Sequence, residues 1–68
     1  MKLILEKGNY KEWLVCENKR IGKRMIKCFS TDMFRPYYRV EAKSLVNRTH
    51  VDISSYTSAK DLYSIISH

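Results

Sequence analysis

Glycine and proline are scarce in this chain, with two of the first and one of the second among 68 residues. So few glycines exclude the loops that cradle phosphates, and neither a P-loop nor a dinucleotide fingerprint is present. Cysteine is limited to Cys16 and Cys28, too far apart for a Cys-x-x-Cys pair. Adding His50 and His68 matches no zinc spacing, so neither a metal nor another cofactor is expected. Long apolar runs are missing as well. Met1-Lys2-Leu3-Ile4-Leu5-Glu6 holds three consecutive apolar residues before a charge. A signal peptide needs about 7–15 and a membrane helix about 20. The expectation is a cytoplasmic protein with no membrane partner and reduced thiols, in which the Asn47-Arg48-Thr49 glycosylation pattern is a chance match.

What is present fits a folded domain. Hydrophobic residues make up 44%, including one Trp, five Tyr and two Phe, and residues 1–68 leave room for one small core. A chain this short gains little net stability from burial alone. Without disulfides or metal, self-association as a homo-oligomer or docking on a larger partner is a natural supplement.

The net charge of +6 is unevenly placed. Residues 1–28 hold eight Lys/Arg against three Glu (+5), residues 29–48 four against two (+2), and residues 49–68 one against two (−1). The positive field belongs to the N-terminal half.

Periodicity then orders the chain. Lys2–Glu6 reads as a strand closed by Gly8-Asn9, residues that tolerate positive φ. Tyr10–Glu17 reads as a second strand, with Trp13 and Val15 on one face and Leu14 and Cys16 on the other. Arg24–Ser30 follows a charged turn around Gly22. Pairing residues 14–18 with 26–30 about that glycine would set the two cysteines opposite each other. The rival for this region is a basic amphipathic helix from Glu17 to Phe29, since Arg20, Lys23, Arg24 and Lys27 also recur at helical spacing. Gly22 inside such a helix costs about 1 kcal/mol, and the flanking residues favour strands.

Pro36 breaks the pattern. Tyr37–Lys43 then alternates cleanly, with Tyr38, Val40 and Ala42 inward and Tyr37, Arg39, Glu41 and Lys43 outward. His50–Ser54 repeats the rule with Val51 and Ile53 inward, leaving His50 and Asp52 on the outer face. Ser58 followed by Asp61 resembles a capping box, and Ala59, Leu62, Ile65 and Ile66 form an apolar stripe with Tyr63 at its edge. The fold expected is α+β: a small antiparallel sheet of three to five strands with one short C-terminal helix packed on a face.

No nucleophile, base and oxyanion hole come together in this pattern, so no catalytic residue is assigned. Trp13 is read as core or core edge. The densest group is Lys19, Arg20, Lys23, Arg24 and Lys27, five cations in nine residues. Clustered cations reward phosphate contact through counterion release. Arg35, Arg39, Lys43 and Arg48 would extend the patch, and Tyr10, Phe34 and Tyr37 would stack on bases. The first expectation is therefore a non-catalytic module that binds RNA or single-stranded DNA through a Lys/Arg-rich hairpin. The site residues are Lys19, Arg20, Lys23, Arg24, Lys27, Arg35, Tyr37 and Arg39. The alternative is a small accessory protein, of the phage or mobile-element type, that inhibits or redirects a host protein. It would dock through an acidic host surface or through strand addition at an open sheet edge, with anchors between Asp32 and Arg39.

Overall fold

The computed structural model describes residues 1–42 and 50–66, without the side chains of His50 and Val51. Five strands, β1 (Lys2–Lys7), β2 (Tyr10–Asn18), β3 (Lys23–Ser30), β4 (Tyr37–Ala42) and β5 (His50–Ile53), precede one helix, α1 (Tyr56–Ile65). The strands form one antiparallel sheet in the order β1-β2-β3-β4-β5, which is the α+β architecture read from the sequence.

The two glycines sit at the two tightest turns. Gly8 (φ 62°) closes β1 onto β2, and Gly22 (φ 72°) closes β2 onto β3. Nothing lies near a Cβ added at Gly8, so its requirement is purely for the left-handed backbone. At the second turn the Gly22 amide donates to the Asn18 carbonyl at 3.0 Å. The Asn18 side chain accepts from the Arg20 amide at 3.1 Å, a local bond that favours turns over helix. The rival helix over Glu17 to Phe29 is thus overturned: positive φ at Gly22 ends any right-handed helix, and residues on both sides pair as strands.

The register of that hairpin is tighter than expected. Asn18 pairs with Lys23, Cys16 with Met25, and Glu12 with Cys28, so the cysteines do not face one another and both thiols are free. A β-bulge separates Leu14 from Cys16 and leaves Val15 without a partner. The extra residue shifts Cys16 onto the face of Trp13, correcting the expected alternation, and both Val15 and Cys16 pack against the core. A second bulge leaves Ile4 unpaired between Leu3 and Leu5.

Helix α1 packs over β3, β4 and β5. Met25, Val40 and Ala42 meet Ala59, Tyr63 and Ile66, with Tyr38, Ile53 and Leu62 at the margin. Met25 and Val40, both fully buried, each contribute about 1.5–3 kcal/mol. The helix starts three residues earlier than the sequence pattern predicts. Ser55 is its N-cap, with extended backbone (φ −109°, ψ 131°) and a side chain that accepts from the Ser58 amide. Asp61 therefore lies beyond the first turn. Positions 59, 62, 63 and 66 follow helical spacing onto one face, so Ala59, Leu62 and Ile66 face the core as expected, while Tyr63 is buried and Ile65 is 75% exposed, an exchange of those two within the expected stripe. No helix among the described residues is long and apolar enough to cross a membrane.

Candidate functional site

The face of the sheet away from α1 collects polar side chains from four strands, β2 to β5. Arg24 pairs across to Glu41, Ile26 to Arg39 and Cys28 to Tyr37, while Glu12 lies opposite Cys28 and Asp52 opposite Arg39. Arg39 is the hub. Its guanidinium lies 3.0 Å from Glu12, 3.6 Å from Glu41 and 3.6 Å from Asp52. Arg24 Nε lies 2.6 Å from the other oxygen of Glu41. The Tyr10 hydroxyl donates to Glu12 at 2.5 Å and lies 3.4 Å from the Tyr37 hydroxyl. Burial first, then the bond to Glu12, raises the Tyr10 hydroxyl pKa far above its ordinary value, and burial likewise raises the Cys28 thiol.

Beneath this band, Ile26 and Cys28 are fully buried on the face away from α1. Leu14 and Arg39 flank the first, Glu12 and Tyr37 the second. The ion-pair band thus does the work of a second layer. Among the described residues the band holds two guanidiniums against three carboxylates, a balance that does not attract phosphate.

The eight residues expected to contact a partner do not form one surface. Lys19 and Arg20 are exposed at the β2–β3 turn and make no ion pair among the described residues. Lys23 is only 9% exposed. It points to the helix side, and its amine donates to the Tyr63 and Ile66 carbonyls at 2.7 and 2.9 Å. Those are helix C-terminal carbonyls lacking intrahelical partners. Arg24 faces the opposite side and is held by Glu41. Lys27 returns to the helix side, 5.6 Å above the Trp13 ring, where Trp13 is half-buried at the margin. Alternation along β3 therefore splits Lys23 and Lys27 from Arg24.

The rest lie elsewhere. Tyr37 and Arg39 belong to the ion-pair band. Arg35 is exposed in the β3–β4 connection, 5.8 Å from the ring of Phe34, itself 96% exposed. This connection lies at the other end of β3 from Lys19 and Arg20, roughly 25 Å away at ~3.3 Å per residue. Lys43, Arg48, Asn47, His68 and the His50 side chain lie outside the described residues.

A cleft of about 400 Å³ opens beside the β2–β3 turn, lined by Glu17, Lys19, Lys23, Arg24 and Glu41 among others. Its charges alternate in sign and two of its three cations are already bonded. Among the described residues no three His, Cys, Asp or Glu side chains gather to hold a metal ion.

One surface escaped the sequence reading. β1 is an edge strand, all six of its residues are exposed, and Leu3, Ile4 and Leu5 are 45%, 36% and 43% exposed. Periodicity marked these residues as a strand but carried no information on whether the strand is central or peripheral.

The chain matches no protein-family model, no curated protein and no solved structure.

Proposed function

We propose that this protein is a non-catalytic protein-binding module that receives a partner on the open edge of β1. The observation that carries the reading is the run Leu3-Ile4-Leu5, exposed along a strand with one side unpaired among the described residues. Edge strands are blunted by charges, proline or bulges. Here the charges Lys2, Glu6 and Lys7 stand at the ends and a bulge falls at Ile4, so the apolar run between them carries no charge of its own. An incoming strand gains backbone hydrogen bonds from the edge and apolar contact from the three side chains. Phe34, nearly fully exposed beside Arg35, supplies an aromatic–arginine pair of the kind that anchors protein partners. Such a module acts by occupancy, covering or redirecting the protein on which it docks.

Binding of RNA or single-stranded DNA, the reading favoured by composition, has less support from the geometry. Counterion release rewards cations that track one backbone. Of the five cations between positions 19 and 27, one caps a helix, one is neutralised by Glu41 and one covers Trp13.

Affinity capture from a nuclease-treated lysate tests the proposal, alongside titration of the protein with a labelled single-stranded oligonucleotide. The expected result is a stoichiometric protein that survives nuclease and is lost with the Leu3→Lys/Leu5→Lys variant. Recovery abolished by nuclease, together with oligonucleotide affinity that falls at a log–log slope of roughly −0.7 per phosphate contact, overturns it.

A further inference from the structure

We infer that the strand received by the β1 edge carries carboxylates opposite Lys2 and Lys7 and an apolar side chain opposite Leu5; this rests on reading β1 as the binding edge. The bulge at Ile4 decides which side chains share a face. Lys2, Leu5 and Lys7 lie opposite Leu14, Glu12 and Tyr10, which puts all three on the face of the ion-pair band. Leu3 and Glu6 lie opposite Trp13 and Lys11. Trp13 pairs with Lys27 and Lys27 with Tyr38, a core residue under α1, so Leu3 and Glu6 belong to the helix side. One face of the edge therefore reads cation, apolar, cation; the other reads apolar, anion.

Both lysines are exposed and make no ion pair among the described residues. Glu12, the carboxylate that β2 presents opposite Leu5, is held by Arg39 at 3.0 Å and by Tyr10 at 2.5 Å. The two ammonium groups are thus left to a partner. Opposite charges facing across a strand pair are favourable and like charges are not. Two copies of this chain paired antiparallel about Leu5 would set Lys2 of each against Lys7 of the other. The lysines that oppose a second copy are the ones that select an acidic strand. β2 meets the three positions with residues 14, 12 and 10, a span of about 13 Å. The partner's carboxylates accordingly sit four residues apart, with the apolar side chain midway. Between them come an apolar residue beside Leu3 and a cation beside Glu6. Read along an antiparallel partner, the pattern is Glu-Lys-Val-Val-Glu.

The probe is the peptide Thr-Thr-Glu-Lys-Val-Val-Glu-Thr-Thr. Its control is the isomer with the lysine and the second glutamate exchanged, equal in charge because a chain of net charge +6 attracts any anion. Each is titrated into the isotope-labelled full chain and followed by amide chemical shifts. The probe is expected to shift the β1 amides and to bind about tenfold more tightly than the isomer, which sets like charges against Lys2 and Glu6. Lys2→Glu/Lys7→Glu weakens the probe about tenfold, with far-UV circular dichroism unchanged because both positions are exposed. The charge-matched Lys19→Glu/Arg20→Glu variant keeps wild-type affinity. Equal affinity for the two peptides, no shift of the β1 amides, or equal losses in the two variants overturns the inference. Shifts of the same amides with protein concentration alone would make a second copy the occupant and overturn it too. A lysate protein lost with Leu3→Lys/Leu5→Lys but retained by Lys2→Glu/Lys7→Glu overturns the acidic strand while leaving β1 as a binding edge. Capture indifferent to Leu3→Lys/Leu5→Lys removes the edge reading and this inference with it.

Discussion

The Lys23 ammonium donates to the Tyr63 carbonyl at 2.7 Å and lies 4.2 Å above the ring of the same residue. A cation from the middle of the sheet thereby holds down the last turn of a helix 40 residues away in sequence. The position suits the charge twice over, since the carbonyl end of a helix is its negative pole and the ring face attracts cations.

Lys23→Met keeps the aliphatic stem and removes the donor. Two carbonyls then lose a charge-assisted bond, so unfolding free energy falls by about 2–3 kcal/mol. Urea unfolding followed by circular dichroism reads this directly. A loss within the few tenths typical of a surface lysine shows that the amine is not holding the helix.

The ion-pair band predicts an ordering between two arginines. Arg39 holds Glu12, whose side chain is 9% exposed, whereas the Arg24 side chain is 42% exposed. Removing the partner of a buried carboxylate costs about 3 kcal/mol or more, and an exposed pair contributes about 0–1 kcal/mol. Arg39→Met is therefore expected to destabilise the protein well beyond Arg24→Met in the same denaturation assay, and equal losses would contradict the placement of Glu12.

Thiol chemistry gives a third prediction. Burial raises the Cys28 pKa, while Cys16 is half-buried. Under native conditions a thiol reagent modifies Cys16 first, and Cys28 reacts only as the protein unfolds. The same burial has a pH signature. Above about pH 8.5, the ordinary thiol value, the unfolded chain releases a proton that folded Cys28 retains. Stability is fully present below that pH and falls as pH rises. Tyr10, also raised, extends the fall above about pH 10. Cys28→Ala flattens the first part of the profile. An unchanged slope would contradict the buried thiol.

Helix capping separates the observed start of α1 from the start suggested by its sequence. Ser55→Ala removes the N-cap acceptor and is expected to cost about 1 kcal/mol, whereas Ser58→Ala, at an exposed position inside the first turn, stays within about 0.5 kcal/mol. Equal effects would contradict the cap assignment.

These contrasts show where the sequence was legible. Alternation in Tyr37–Ala42 identified β4 and its two faces because nothing interrupts it. The same rule failed in β2, where one inserted residue at Val15 reverses every later side chain. The cations between positions 19 and 27 looked like a cluster because spacing along a strand hides which face each side chain takes, and Lys23 was misread because no local pattern announces a lysine that caps a distant helix. Tyr10, Glu12, Cys28 and Glu41 become neighbours of Arg39 only through the register of two hairpins. The exposure of Leu3, Ile4 and Leu5 depends on strand order, a property of the whole sheet that no window of residues contains.

The most direct measurement is a side-by-side capture with two variants, Leu3→Lys/Leu5→Lys on the β1 edge and Lys19→Gln/Arg20→Gln at the β2–β3 turn, in the same nuclease-treated lysate. The edge variant is expected to lose the partner while the turn variant retains it at wild-type yield. Loss with the turn variant and retention with the edge variant would contradict the claim and return function to the exposed cations.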